Sequence, residues 1–228
     1  MVEWSYGVTT CTQRLNTLLP RTLASLAATG FDEPRLFIDG GGYVGNLPAT
    51  QRESPIIEAN YGNWLLAAWE LYLRKPRATY YAIFEDDIIL CKGIKQYIEN
   101  HVWIEKSYLN LFTFATNEVV ISNKPLGWCK SDQLGRGALA LIFNQDAIIS
   151  LFSQVDYLTK QHLEPKGYRN VDGTIQTALT RLAGYKEYVH NPSLVQHVGQ
   201  QTTLPRSIKQ PEAKTFPGED FDILKDLT

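Results

Sequence analysis

Tyr80-Tyr81-Ala82-Ile83-Phe84-Glu85-Asp86-Asp87 is the stretch that decides how this chain reads. The apolar and aromatic run Tyr80–Phe84 has the composition of a buried strand, and a carboxylate triplet follows it. Open α/β sheets take their ligands beyond the carboxyl ends of their strands, so the triplet stands where a site belongs. Adjacent negative charges repel and raise one another's pKa values. A divalent cation removes that penalty, and hard oxygen donors suit Mg²⁺ or Mn²⁺. Strand alternation predicts Glu85 and Asp87 on one side and Asp86 on the other, so the three cannot all hold one ion. The triplet alone leaves a second reading open, a solvated turn of helix-capping acids.

Working outward, strands and helices alternate through the first half. Trp4 to Cys11 reads as a first strand and Leu36-Phe37-Ile38 as a second, ending at Asp39. Pro20 fits the first turn of a helix through Leu23, Leu26 and Ala27 that stops at Gly30. Asn63 to Arg74 places Trp64, Leu65, Ala68, Leu71 and Tyr72 at amphipathic helical spacing, before Lys75-Pro76. Further on, Leu109–Phe114, Glu118–Ile121 and Ala138–Phe143 read as strands, and Gln145–Phe152 as a helix. Asp172 is placed to N-cap a helix over Gly173–Arg181. Lys186–Val189 and Leu194-Val195 read as short strands, with long loops expected at 122–137 and 155–171. The expectation is one α/β domain over 1–204, with a central mixed, mostly parallel sheet flanked by helices. A tail over 205–228 is expected to pack on it or stay partly flexible.

Composition narrows the class. The 228 residues are 44% hydrophobic and 11% aromatic, enough for one good-sized core. Lys and Arg number 22 against 24 Asp and Glu, so net charge is −2 and offers no bulk field for nucleic acid. The three cysteines, Cys11, Cys91 and Cys129, are odd in number and form no C-x-x-C pair, which fits a reducing compartment. No apolar run is long enough for a membrane span, and Met1 to Tyr6 has no signal-peptide character. A cytoplasmic protein is the expectation.

Gly40-Gly41-Gly42-Tyr43-Val44-Gly45 satisfies G-x-G-x-x-G after a strand. A dinucleotide fold needs the third glycine inside a helix. Asn46-Leu47-Pro48-Ala49 follows instead, and reads as a loop.

The order of these features resembles the GT-A glycosyltransferases, which bind a nucleoside-diphosphate sugar and a metal through a D-x-D-like motif. The resemblance runs from about Tyr6 to Thr203 and lies in the sequence of motifs. A loop after the first strand, an acid after the second, the E-D-D triplet, an Asp opening a late helix and a His after a late strand follow in turn. It implies that Thr9, Thr10 and Arg14 line the nucleoside and diphosphate pocket and that Asp39 approaches the base or ribose. Asn60, Gly62 and Asn63 resemble the nucleotide-touching segment before the central helix. Asp87 would ligate Mn²⁺ or Mg²⁺ with His197 completing the metal shell, and Glu85 and Asp86 would meet ribose and sugar hydroxyls. Asp172 resembles the general base of inverting members. Trp128, Arg136 and Gly137 fall in the region that lies over the donor sugar and acceptor.

The function implied is transfer of a sugar, with a UDP-sugar as the expected donor, to an acceptor hydroxyl. Asp172 would take the hydroxyl proton and the metal would stabilise the leaving diphosphate. The acceptor class stays open between a glycan, a protein, a small molecule and a modified nucleic-acid base. A non-catalytic nucleotide-sugar or carbohydrate-binding module on the same fold is one alternative. A sugar nucleotidyltransferase is another, though Val8 to Arg14 lacks the glycine-rich loop such enzymes use for a triphosphate. A glycoside hydrolase needs carboxylates across a cleft, which adjacent Asp86 and Asp87 cannot provide.

Overall fold

Alternating residues of the central strands enter two different cores, one on each face of a sheet, and this fixes the architecture. A computed structural model describes residues 2–52, 59–163, 171–199 and 211–227. In chain order the elements are β1 (Trp4–Cys11), α1 (Leu19–Ala28), β2 (Arg35–Asp39), β3 (Ala49–Arg52), α2 (Ala59–Arg74), β4 (Tyr80–Glu85) and β5 (Ile88–Leu90). Then come α3 (Ile94–Asn100), β6 (Ser107–Asn110), α4 (Ala115–Ile121), β7 (Gly127–Lys130), β8 (Ala140–Asn144), α5 (Gln145–Phe152) and α6 (Val155–Leu163). The last are α7 (Val171–Gln176), running into a π-helical turn at Thr177–Leu182, β9 (Lys186–Asn191), β10 (Val195–His197) and α8 (Ile223–Asp226).

Eight strands form one mixed, mostly parallel sheet in the order β3-β2-β1-β4-β8-β6-β9-β7, and β5 pairs β10 in a separate two-stranded ribbon. β1 lies parallel between β2 and β4, so its carboxyl end shares an edge with theirs. Tyr80, Ala82 and Phe84 join Trp4, Val8, Ala140 and Ile142 under α1 and α3. Tyr81 and Ile83 join Phe37, Leu141 and Phe143 under α2, α5 and α7. A Cβ on Gly7 would fall 2.5 Å from the Arg35 carbonyl, so glycine is what lets β1 and β2 approach.

The structure bears out the sheet class and the elements around β1, α1, β2, α2, β4 and α5. It corrects others. Glu118–Ile121 is helical, within α4, rather than a strand. The strand expected at Leu109–Phe114 is Ser107–Asn110, and the one at Leu194-Val195 is Val195–His197. The loop expected over 122–137 holds β7, and that over 155–171 holds α6 up to Leu163, with 164–170 outside the described residues. The glycine run Gly40–Gly45 is loop, with no helix after it. Of the expected tail, 205–210 lie outside the described residues. Residues 211–227 pack on the domain: Ala213 and Ile223 are buried in the core, and Lys92 N donates to the Phe221 carbonyl at 2.8 Å. Among the described residues no helix is long and apolar enough to cross a membrane.

Candidate active site

The carboxyl end of β4 turns sharply. The strand ends at Glu85, and Asp86 and Asp87 form the turn into β5. Alternation therefore stops at Glu85, and Asp86 does not face away from Asp87 as strand geometry predicts. Both carboxylates meet one guanidinium: Arg14 Nη1 donates to Asp86 Oδ1 at 2.6 Å and to Asp87 Oδ2 at 2.7 Å. Arg14 lies in the 3-10 turn Thr12–Arg14 just after β1, and β1 places Thr9 opposite Glu85. Thr10 Oγ1 donates to Asp86 Oδ2 at 2.5 Å. From α1, Thr22 Oγ1 accepts Ile88 N–H at 3.1 Å and lies 2.8 Å from the Asp86 carbonyl, which pins the turn.

The β5–β10 ribbon delivers the imidazole. His197 stands opposite Ile88, and its Nε2 is 3.1 Å from Asp87 Oδ2. Val198 N donates to the Asp87 carbonyl at 2.8 Å. A Cβ on Gly199 would lie 2.8 Å from Asp87 Oδ2 and 3.1 Å from His197 Cε1. The backbone can pass this close only because the residue is glycine. Asp87 Oδ1 and His197 Nδ1 are buried and lack hydrogen-bond partners among the described residues. No group of three or more His, Cys, Asp or Glu able to hold a metal is found among those residues.

The charges sort the acids. Burial alone would raise Asp87, but the His197 hydrogen bond and Arg14 outweigh it and hold its carboxyl below the ordinary range. Burial raises Asp86, only partly offset by Arg14. Glu85 continues the Tyr81 and Ile83 side of the strand, towards α7. Burial, then the charges of Asp87, Asp172 and Asp86, push it well above the usual carboxylate value. Glu85 thus feels Asp87 and Asp172 at once.

Asp172 lies in the first turn of α7, after Val171, and so is not the N-cap. Its Oδ2 accepts the Gly137 amide at 2.6 Å. Burial raises its pKa, and the amides of Gly137 and Ala138 pull it part of the way back. Gly137 has φ +70°, and a Cβ there would fall 2.5 Å from the Phe112 ring, so the loop needs glycine to reach the carboxylate. Arg136, beside it, has Nε 3.5 Å from Asp132 Oδ2 and its guanidinium 5.6 Å from the Phe114 ring centroid.

The remaining expected residues divide. Thr9 is buried, its hydroxyl donating to the Phe84 carbonyl at 3.3 Å. Asp39 is buried at the end of β2 opposite Cys11, and its charge acts on Arg52. Asn63 is buried beneath these strand ends: its Nδ2 donates to the Phe37 carbonyl at 2.9 Å and the Thr10 carbonyl at 3.3 Å, while Oδ1 accepts Arg52 Nη1 at 2.8 Å. Gly62 is buried in α2, and the side chain of Asn60 lies outside the described residues. Trp128 is not brought to the carboxylates. It sits on edge strand β7, with β8, β6 and β9 between it and β4. There its ring lies 5.0 Å from His190 and 6.2 Å from Tyr97.

One residue near Asp172 escaped the sequence reading: Glu187 on β9, buried, whose Oε2 accepts Ser131 Oγ at 2.6 Å. Its only signal in the sequence is an acid in register with buried Val189 two residues on.

No protein-family model matches the chain, and no curated protein sequence does. Solved structures do. S. aureus TarS 1–349 in complex with UDP-GlcNAc superposes with a TM-score of 0.54 at 12% identity, over 90% of this chain and 62% of that one. TarS 1–349 in another crystal structure gives 0.50 at 12% identity, over 81% and 57%. The apo form of the glycosyltransferase GlyE from Streptococcus pneumoniae TIGR4 gives 0.49 at 10% identity, over 92% and 58%. The chain thus spans roughly three fifths of the length of these structures. The likeness is one of fold, and the fold is the GT-A-like one that the order of motifs implied.

Proposed function

We propose that the chain is a glycosyltransferase that moves a sugar from a UDP-sugar to an acceptor hydroxyl with inversion. The observation that carries this reading is the meeting of Arg14, Asp86, Asp87 and His197 at one sheet edge, with Asp172 and Glu85 electrostatically coupled beside them. The UDP-GlcNAc held by TarS on the same fold supports the choice of donor.

In this mechanism Arg14 brings its positive charge to the diphosphate, a planar donor suited to phosphate oxygens. Asp172 accepts the proton of the acceptor hydroxyl. As that oxygen bonds to the anomeric carbon, the bond from that carbon to the diphosphate oxygen breaks. The Gly137 amide holds Oδ2, and the raised pKa of Asp172 makes it a stronger proton acceptor. Asp87 and His197 are the residues that would hold a divalent ion: among the described residues Asp87 Oδ1 and His197 Nδ1 are buried without hydrogen-bond partners, and the carboxylate oxygen suits Mn²⁺ or Mg²⁺. When bound, such an ion supplies Lewis-acid stabilisation of the departing diphosphate.

A thermal-shift panel of UDP-, GDP-, CMP- and TDP-sugars, with and without Mn²⁺, tests the reading. A donor that binds the native state raises Tm by mass action, and the UDP-sugars should do so. Absence of any shift across the panel with metal present would sink it.

A further inference from the structure

Glu187 lies on β9, on the α7 side of the sheet, and only 2% of its surface is exposed. Its Oε2 accepts Ser131 Oγ at 2.6 Å, and its Oε1 accepts Asn110 Nδ2 at 3.1 Å. Main chain and side chain are tied together here. Gln133 Nε2 donates to the Glu187 carbonyl at 2.8 Å, and Glu187 N donates to Gln133 Oε1 at 3.1 Å. Ser131 N donates to the same carbonyl at 3.1 Å.

The loop these bonds grip is the one that meets Asp172. Gln133, Gly135 and Gly137 have φ of +61°, +66° and +70°. A run so rich in left-handed residues has no regular hydrogen-bond ladder, and a non-glycine residue there is strained, so anchors outside the loop must hold it. The anchors are present. The Asn110 amide that meets Glu187 also donates to the Arg136 carbonyl at 3.1 Å. Gln176 Nε2, from α7, donates to the Gln133 carbonyl at 2.6 Å. The next residue after Arg136 is Gly137, whose amide holds the Asp172 carboxylate. An unbroken chain of bonds runs from Glu187 to Asp172.

We propose that Glu187 is a positioning residue, anchoring the Ser131–Ala138 loop so that the Gly137 amide keeps the Asp172 carboxylate aimed at the acceptor hydroxyl. The proposal rests on the reading of Asp172 as the base. An apolar residue at this place would fill the same space without the cost of burying an acid, but would remove the bonds to Ser131 and Asn110 and leave the loop to its main-chain contacts and Gln176. The groups facing Glu187 are Asp172, Asp132 and Tyr108. Burial, with Asp172 and Asp132 adding to it against the Ser131 and Asn110 hydrogen bonds, pushes its carboxyl up to about 7. Glutamine, neutral and of the same shape, is therefore its conservative replacement.

The test compares wild type, E187A and E187Q in the full chain by amide hydrogen exchange and by transfer kinetics. E187A should speed exchange across 131–138 about tenfold or more, with β1 and β4 unaffected. Its kcat should fall about 10- to 100-fold while the donor KM moves less than about threefold, since the lost geometry acts on proton transfer and not on donor binding. E187Q should recover most of both losses. Unchanged exchange at 131–138 in E187A overturns the anchor whatever the activity. Faster exchange with an unchanged kcat overturns the positioning role. Should E187A not fold, Ser131→Ala decides: it removes one bond to Glu187 and should loosen the same peptide, and an unaltered peptide refutes the proposal. Near-normal transfer by Asp172→Asn overturns the base reading itself, an outcome separate from the exchange result.

Discussion

Replacing Arg14 by methionine removes the cation that Asp86 and Asp87 share while keeping most of the apolar stem. The side chain of Arg14 is 15% exposed and those of Asp86 and Asp87 are 3% and 2%, so water reaches the bereaved carboxylates poorly. Removing one partner of a buried ion pair typically costs about 3–5 kcal/mol. Thr10 still donates to Asp86 and His197 still meets Asp87, which argues for the low end. A loss of about 3 kcal/mol corresponds to a Tm lower by about 6–12 °C in a domain of this size. Urea denaturation followed by circular dichroism, without divalent metal, measures it. Millimolar Mn²⁺ should then raise the Tm of R14M more than that of wild type, because the cation binds carboxylates that Arg14 no longer occupies. An R14M protein within about 1 kcal/mol of wild type in metal-free buffer would refute the reasoning, since the two acids would not then depend on the guanidinium.

Asp172→Asn should lower sugar transfer by about 10²- to 10⁴-fold while leaving the donor-induced thermal shift intact, as read in a product assay beside the shift. Gly199→Ala forces its Cβ to within 2.8 Å of Asp87 Oδ2, and the urea midpoint should report a loss of about 1–3 kcal/mol. The Glu187 carboxyl is raised from its ordinary value to about 7, so the stability it lends the fold is full below the unfolded value and fades as pH climbs through about 7. E187Q does not titrate. Its stability relative to wild type should grow between pH 5 and pH 8, by up to about 3 kcal/mol, and a flat difference across that range would contradict the assignment.

How much was legible depended on where a segment's partners lie. β1, β4 and α5 read well because their patterns answer to the core directly beside them. Glu118-Val119-Val120-Ile121 misled because β-branched residues suggest a strand. In α4 it is Asn117, Glu118 and Ile121 that turn inward, while Val119 and Val120 are 75% and 47% exposed. Distant groups meet the buried polar pair: Asn117 Oδ1 accepts Asp132 N at 2.7 Å and Glu118 Oε1 accepts Thr215 N at 2.7 Å. No local pattern encodes those contacts. β7 was hidden likewise, since an edge strand pairs on one side only, here with β9. At the site, the triplet was visible from the residues and the positions of Arg14, His197 and Asp172 from the resemblance. The turn that gives Asp86 and Asp87 one shared cation was not, because it depends on Thr22 pinning the backbone from α1.

The segment 211–227 bears on how the protein comes into being. It grips β10 through Ala213 and Gln196, α4 through Thr215 and Glu118, and the start of β5's exit through Phe221 and Lys92. β10 carries His197. A ribosome delivers the β1 loop and the E-D-D turn early and this strap late, so during synthesis the acids wait for the imidazole. Until this segment docks on β10, the nascent chain displays a sheet edge at which Arg14 is the counter-charge to Asp86 and Asp87.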